Sequence, residues 1–570
     1  MTPEVCTICK MDVIAPVRCR AVELRHAPAA RGRRDQSDSL EKGQTMANWF
    51  QGLRKLKGAA ARAHAAGSVA KIRVKGGAKA LRMIILPARG LRAPHDSVAP
   101  AAARNFLSSL ALGVSTQHAS GGASAKMKVI DAVHEDGAKL VEMTPDAVME
   151  LRAIQPGLRV IPEAFYRPAV QVCFAESVPA AAGKGTRSVT LAVRSAADGA
   201  PVKDVMVVGF TDFAAREGAQ GVTSAGGTVT LKIPSRVKKF ERVYAYPEIA
   251  YWGALAKNVQ VAASIDVKLT PIDLSYVDCL RHFYGRGAPN AGSSVKVGVI
   301  DSGIALNHPD LTVAGGECTI PGENPGDFGP LGGPHGSHVA GIIAGHGVAP
   351  SGVRGVAPAA SLYSLRVFGA GEGASNYSII KAIDRAVALG CDLVNMSLGG
   401  GPRDAALESA IGDAYLAGTV CIVAAGNDYR SPVSVPAAYQ LSVAVSACGR
   451  KGTFPAGTTE SGDVAPPYGR DKNDFIAAFS NVGAEIDVTG PGVGVISSVP
   501  GGYGVMSGTS MACPAVTGLA ARLLSLPANA AILSGARDES RSNEIVQMLL
   551  QSCKKLGFGR IYEGLGLPRG

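Results

Sequence analysis

The stretch "SGTSMACPAVTGLAARLL", Ser507 to Leu524, crowds hydroxyl side chains and a glycine against the start of an apolar, helix-forming run. Pro514 stands just inside that run, where it has no N–H to offer the carbonyl four residues back, that of Ser510. A serine at a helix start is ordinarily a cap. Its backbone N–H can also face developing negative charge, helped by the helix dipole. The sequence upstream decides which reading holds.

"VKVGVI", "SLYSLRVF", "CDLVNMSL" and "VCIVAAG" are largely apolar, as strands buried on both faces are. Between them lie "SNYSIIKAIDRAVALG", a helix with Ser375 as cap and Gly390 as terminator, and the helical "DAALESAIGDAYLAG". This alternation predicts an α/β fold, a parallel sheet flanked by helices, whose ligands sit at the carboxyl ends of the strands. Asp301 follows "VKVGVI" and Asn427 ends "VCIVAAGN"; His335 opens "HGSHVAGIIAG". Each alone reads as a turn or core residue. "DSG" at Asp301 has no second such turn, so the paired carboxylates of an aspartic protease are missing. "HPDL" at His308 lacks the flanking helices of a J-domain. His335 and His338 lack a third ligand, so no metal is assigned to them. Together, a carboxylate, an imidazole, an amide donor and a hydroxyl at one crevice meet the needs of acyl transfer by an activated serine.

"VGVIDSGI", "HGSHVAGIIA", "MSLGG", "VAAGN" and "SGTSMACPAV" resemble, in that order, the signature segments of subtilisin-like serine proteases, over roughly residues 285–555. The resemblance implies a serine endopeptidase acting through an acyl-enzyme. Ser510 would be the nucleophile, His335 rather than His338 the general base and then acid, and Asp301 the residue that orients the imidazole. Asn427 and the Ser510 amide would form the oxyanion hole. Ser397, Leu398 and Gly399 would pair with an extended peptide, and residues 370–374, including Gly371 and Gly373, would form the opposite edge. Ser434 hints at an uncharged pocket. Ala515 stands where the family usually has histidine, and Cys513 where serine or alanine is commoner. The family's calcium loop is here "GHGVAPSGVRG", without Asn or Asp; only Asp310 matches a ligand position, so calcium is expected to be weakly supported and no other cofactor is expected. "RKGTFPAGTTESGDVAPPYGRDKND" is an apparent insertion, expected as a surface loop.

Residues 79–168 read as a small α+β domain, with strands in "LRMIILPA", "KMKVIDAV", "AKLVEM" and "LRVIPEAF" and a helix in "TPDAVMELRAI" capped by Thr144. It resembles the family's inhibitory propeptide, which makes this domain a partner of the catalytic one. Residues 186–270 read as a small β-sandwich-like domain. Such a propeptide usually abuts the catalytic domain. Here either maturation cuts near residues 270–290 or the unit stays attached. A catalytically silent or permanently self-inhibited protein-binding scaffold is the alternative function.

The chain has 570 residues and a formal charge of +12. The first hundred hold 19 Lys and Arg against 7 Asp and Glu, and the remainder balances. The basic pI therefore concerns residues 1–78, an irregular basic segment, and no sequence-specific nucleic-acid partner is expected. Polypeptides are the expected substrates. Eleven scattered cysteines form no disulfide framework, and Cys6 and Cys9 are one half of a zinc spacing. No transmembrane run and no secretory signal are recognised, so a cytoplasmic or non-classically exported protein is expected, with translation from Met1 or Met46.

Overall fold

The apolar strands at the centre of the chain assemble into one sheet in the order Val313–Cys318, Ser361–Arg366, Lys296–Asp301, Leu393–Met396, Val420–Ala424, Ser442–Arg450. All five of these pairings are parallel. Ser442–Arg450 also pairs in parallel with Val488–Pro491 and antiparallel with Asp474–Ile476. Val297, Val299, Ile422 and Ala424 face the helices His335–Ala344 and Thr509–Leu524 in one core cluster. Ile300, Val394, Met396, Cys421 and Val423 face Asn376–Ala388 and Ala405–Leu416 in another. Covering on both sides explains why Lys296–Asp301, Leu393–Met396 and Val420–Ala424 are largely apolar. Ser375 caps its helix by accepting from the Tyr377 N–H (3.2 Å), and Asp404 caps the next through Ala406 (2.8 Å).

The computed structural model describes residues 80–570 except 89, 92–97, 111–114, 117–126, 173, 175, 178–184, 248 and 371–372. The basic segment, with Cys6, Cys9 and Met46, lies outside them.

Leu81–Pro87, Met127–Ala132, Lys139–Met143 and Leu158–Pro162 form, with Ser115–Thr116, an antiparallel sheet. One face carries the helix Pro145–Ile154, whose cap Thr144 accepts from Ala147 N–H at 3.3 Å, and Val98–Ser108, a helix the sequence reading missed. The opposite face, through Ile84, Leu86 and Leu140, shares a core cluster with the helices Asn376–Ala388 and Ala405–Leu416. Asp131 pairs with Lys381 (2.7 Å), His134 with Asp384 (2.7 Å), and Leu91 N–H donates to Asp413 (2.8 Å).

"LRVIPEAF" is not one strand. Its first half closes the sheet just described; Phe165–Pro168 leaves it and joins the catalytic domain. Residues 186–269 form two sheets, one ordered Ala254–Gln260, Lys239–Tyr246, Met206–Asp212, Glu217–Val222, the other Thr228–Pro234, Thr186–Ser195, Ser264–Leu269. Leu191, Val207, Leu231 and Phe240 fill the space between them.

The insertion around residues 450–474 is no surface loop. Gly457 O accepts from Leu255 N–H (2.8 Å) and Thr459 N–H donates to Gly253 O (3.2 Å), so it seams the two-sheet domain to the catalytic one. Glu460 and Asp463 are buried there, and burial pushes both carboxyls above their usual range. Part of residues 270–290 is built into the core, while the chain on either side of that part is largely exposed or half-buried. Cys279–Tyr284 is a helix in the catalytic core, capped by a fully buried Asp278 that also accepts from Ile496 N–H (2.8 Å).

Candidate active site

Asp301 ends the central strand and is wholly buried. His335 opens its helix beside it, with Nδ1 at 2.8 and 3.0 Å from the two carboxylate oxygens. A carboxylate only accepts, so Nδ1 carries the proton and Nε2 is left as the basic nitrogen. Ser302 fixes the pair. Its N–H donates to Asp301 (2.7 Å), while its Oγ donates to Gly333 O and accepts from Gly336 N–H, both at 2.9 Å.

His338, three residues on, does something else. Its Nε2 bonds Val495 O at 3.0 Å, and burial, followed by the neighbouring His335, pushes its pKa down to about 3. Between pH about 6.5 and about 3 the unfolded chain therefore binds the proton the folded one refuses, and this contribution to stability is lost as pH falls through that window. We expect wild type to lose urea resistance over that range relative to His338→Gln, measured by paired unfolding curves. A constant difference would contradict it.

At Ser510 the opening stretch becomes intelligible. Asn427 Oδ1 accepts from Thr509 N–H and Thr509 Oγ, both at 2.9 Å. With its oxygen so occupied, the amide must aim its Nδ2 outward, in line with Ser510 N–H. Thr509 is thus a positioning residue that sequence reasoning missed; its place beside Ser510 was the only local signal. The Ser510 carbonyl, which Pro514 cannot serve, accepts instead from Ser397 Oγ at 2.9 Å, and Asn395 Nδ2 donates to that hydroxyl at 3.0 Å. The proline thereby ties the helix start to the strand end at Ser397. Ser397→Ala removes this replacement donor in a fully buried place, and an unserved carbonyl costs roughly 1–3 kcal/mol. A comparable fall in unfolding free energy is expected; no change would mean the carbonyl finds another donor.

The cleft is filled by the chain itself. Phe165–Pro168 lies antiparallel between two edges: Arg167 and Pro168 pair with Gly399 and Leu398, and Phe165 and Tyr166 with Ser375 and Ala374. The second edge is thus Ala374–Ser375. Gly373 stands just before it, and Gly371 lies outside the described residues. The cause is the start of the Asn376 helix, whose first N–H donates to Ala164 O at 2.8 Å and sets the register. Ala169 N–H donates to Ser397 O (3.0 Å). Its carbonyl accepts from Ser510 N–H at 3.1 Å and from Asn427 Nδ2. Gln171 N–H then donates to Ser507 O at 2.8 Å. Gly508 has to be glycine, because a Cβ there would lie 2.6 Å from Ala169 O. The Ser510 hydroxyl donates to Ser397 O at 2.9 Å. Ser434 Oγ accepts from Asn481 (3.1 Å) and borders, with Gly399 and Gly426, the small space beside Ala169.

Asp310 Oδ2 accepts from Val353 N–H (2.7 Å), and Gly347 and Gly352 close over the carboxylate. The seven described cysteines are all free thiols. Among the described residues no single helix is long and apolar enough to cross a membrane.

Comparison with known proteins agrees with this geometry. The profile described as the Subtilase family matches residues 292–566. Subtilisin NAT of Bacillus subtilis subsp. natto is 38% identical over 302 residues, spanning 49% of this chain and 72% of its own. Subtilisin of Bacillus pumilus is 42% identical over 241 residues, 41% of this chain and 78% of its own. Subtilisin Savinase of Lederbergia lenta is 39% identical over 231 residues, with 40% and 76% covered.

Proposed function

The chain belongs to the subtilase family, and from that premise we propose how this subtilisin-like serine endopeptidase works and what it cuts first. Ser510 Oγ turns from Ser397 O and attacks a substrate carbonyl as His335 Nε2 takes its proton; Asp301 holds the imidazole and balances its charge. Asn427 Nδ2 and Ser510 N–H stabilise the oxyanion. His335 then protonates the leaving amine, and water resolves the acyl-enzyme.

The observation that carries this reading is the position of Ala169 O, bonded to both amide donors, in a segment laddered to both edges of the cleft. Donors placed for the developing oxyanion are the arrangement that acyl transfer needs. The first bond cut is then Ala169–Val170, in cis. Until it is cut and the N-terminal unit leaves, the cleft is closed to other polypeptides, so the full-length chain is latent.

A fluorophosphonate tests the assignment: after removal of residues before Val170 it should label Ser510, and a folded, casein-cleaving protein labelled elsewhere would refute it. Asn427→Ala should lower turnover by roughly 10²–10³, the scale for the corresponding loss in subtilisin itself, with KM for a peptide amide little changed. Wild-type turnover in that variant would remove Asn427 from the site.

A further inference from the structure

Both sides of the Ala169–Val170 bond are held, and by separate means. On the acyl side stand the ladder of Phe165–Pro168, the Tyr166 hydroxyl on Pro402 O (3.0 Å) and the Arg167–Asp428 ion pair (2.5 Å). On the amine side, Val170 and Val172 are 5% and 4% exposed and belong to the catalytic core cluster. Gln171 adds its N–H to Ser507 O and its side-chain amide to the Tyr429 hydroxyl (2.6 Å). A few residues on, Glu176 and Ser177 join the two-sheet domain as an edge strand beside Glu217 and Gly218. That domain is itself seamed to the catalytic one at Leu255–Gly457, Gly253–Thr459 and Ala250–Tyr503. A cut therefore frees neither product end.

We infer that the full-length chain is a ligase of its own Ala169–Val170 bond, an activity resting on the self-cleavage proposed above. Attack by Ser510 Oγ on the Ala169 carbonyl breaks the C–N bond; the proton from Oγ passes through His335 to the Val170 nitrogen, leaving an ester and an amine. In reverse, the Val170 amine attacks the ester carbon. Its proton goes through His335 to Ser510 Oγ as the C–O bond breaks, and the amide returns with nothing consumed. Where water has resolved the ester, the Ala169 carboxyl can re-form it with loss of that oxygen as water. A held nucleophile reaches effective concentrations of about 10⁵ M or more when well oriented, far above that of water. Cleavage in the full-length chain thus stops at a standing mixture of cut and intact molecules, and net maturation requires the N-terminal unit to be removed.

The experiment uses the whole protein in oxygen-18 water. After incubation it is denatured and digested with trypsin, which releases residues 160–184 as one peptide because Arg167 precedes Pro168. Resealing puts heavy oxygen into the Ala169 carbonyl of the uncut peptide, while the cut fraction settles at a constant value. Ser510→Ala should show neither. A cut that runs to completion with no label in the remaining uncut peptide overturns resealing and leaves self-cleavage standing. Neither cut nor label in folded wild type overturns both.

Discussion

Replacing Ser510 by alanine is expected to lower hydrolysis of a peptide amide by on the order of 10⁶, the loss the corresponding change causes in subtilisin. The helix start, the Asn427 amide and the Ser510 N–H all survive the change, since none depends on Oγ. The hydroxyl donates to Ser397 O, which also accepts from Ala169 N–H, so the fold should stand. Residual activity should come from the oxyanion donors alone. Turnover per folded molecule, checked by a cooperative unfolding transition, measures it. A fall of less than about a hundredfold would mean that another group is the nucleophile.

Asp301→Asn should cost about 10⁴ in turnover, roughly a hundredfold less than the loss of Ser510, as in an unrelated triad where the wrong imidazole tautomer is the cause. Asp301 accepts from two sides, Ser302 N–H at 2.7 Å and His335 Nδ1 at 2.8 and 3.0 Å. An asparagine satisfies Ser302 with its oxygen and must turn its NH₂ to the ring. Nδ1 then becomes the acceptor and the proton moves to Nε2, the atom required as base. Ser397, Leu398 and Gly399, which pair with the chain's own segment and would pair with a substrate in the same way, are untouched, so KM should change little while kcat falls. A variant with near-normal kcat would show that the carboxylate has no part in orienting His335.

The residues that the proposed chemistry requires were legible because each marks a local event: a strand ending at Asp301, Asn427 just past the strand Val420–Ala424, and helices opening at His335 and Thr509. Local pattern fixes such points, and the sheet's order follows from the parallel alternation of elements. Contacts made across hundreds of residues leave no such trace. Ser397 serves the Ser510 carbonyl from 113 positions away, and nothing near Pro514 names it. The insertion at 450–474 has the composition of a loop, yet it carries Glu460 into a seam that only the neighbouring sheet creates. "LRVIPEAF" keeps a strand's pattern while changing sheets at Glu163 and Ala164, since both partners accept an extended segment. Beyond that switch lies Ala169, whose carbonyl meets the amide donors, and the cut proposed above rests on that contact; the sequence had offered residues 270–290 or permanent attachment.

The most direct measurement is N-terminal sequencing of purified, denatured wild type beside Ser510→Ala. A second terminus beginning at Val170, in wild type alone, is the predicted result. A terminus at Val170 in both proteins, a wild-type terminus within residues 270–290, or a folded wild type with no new terminus would contradict it.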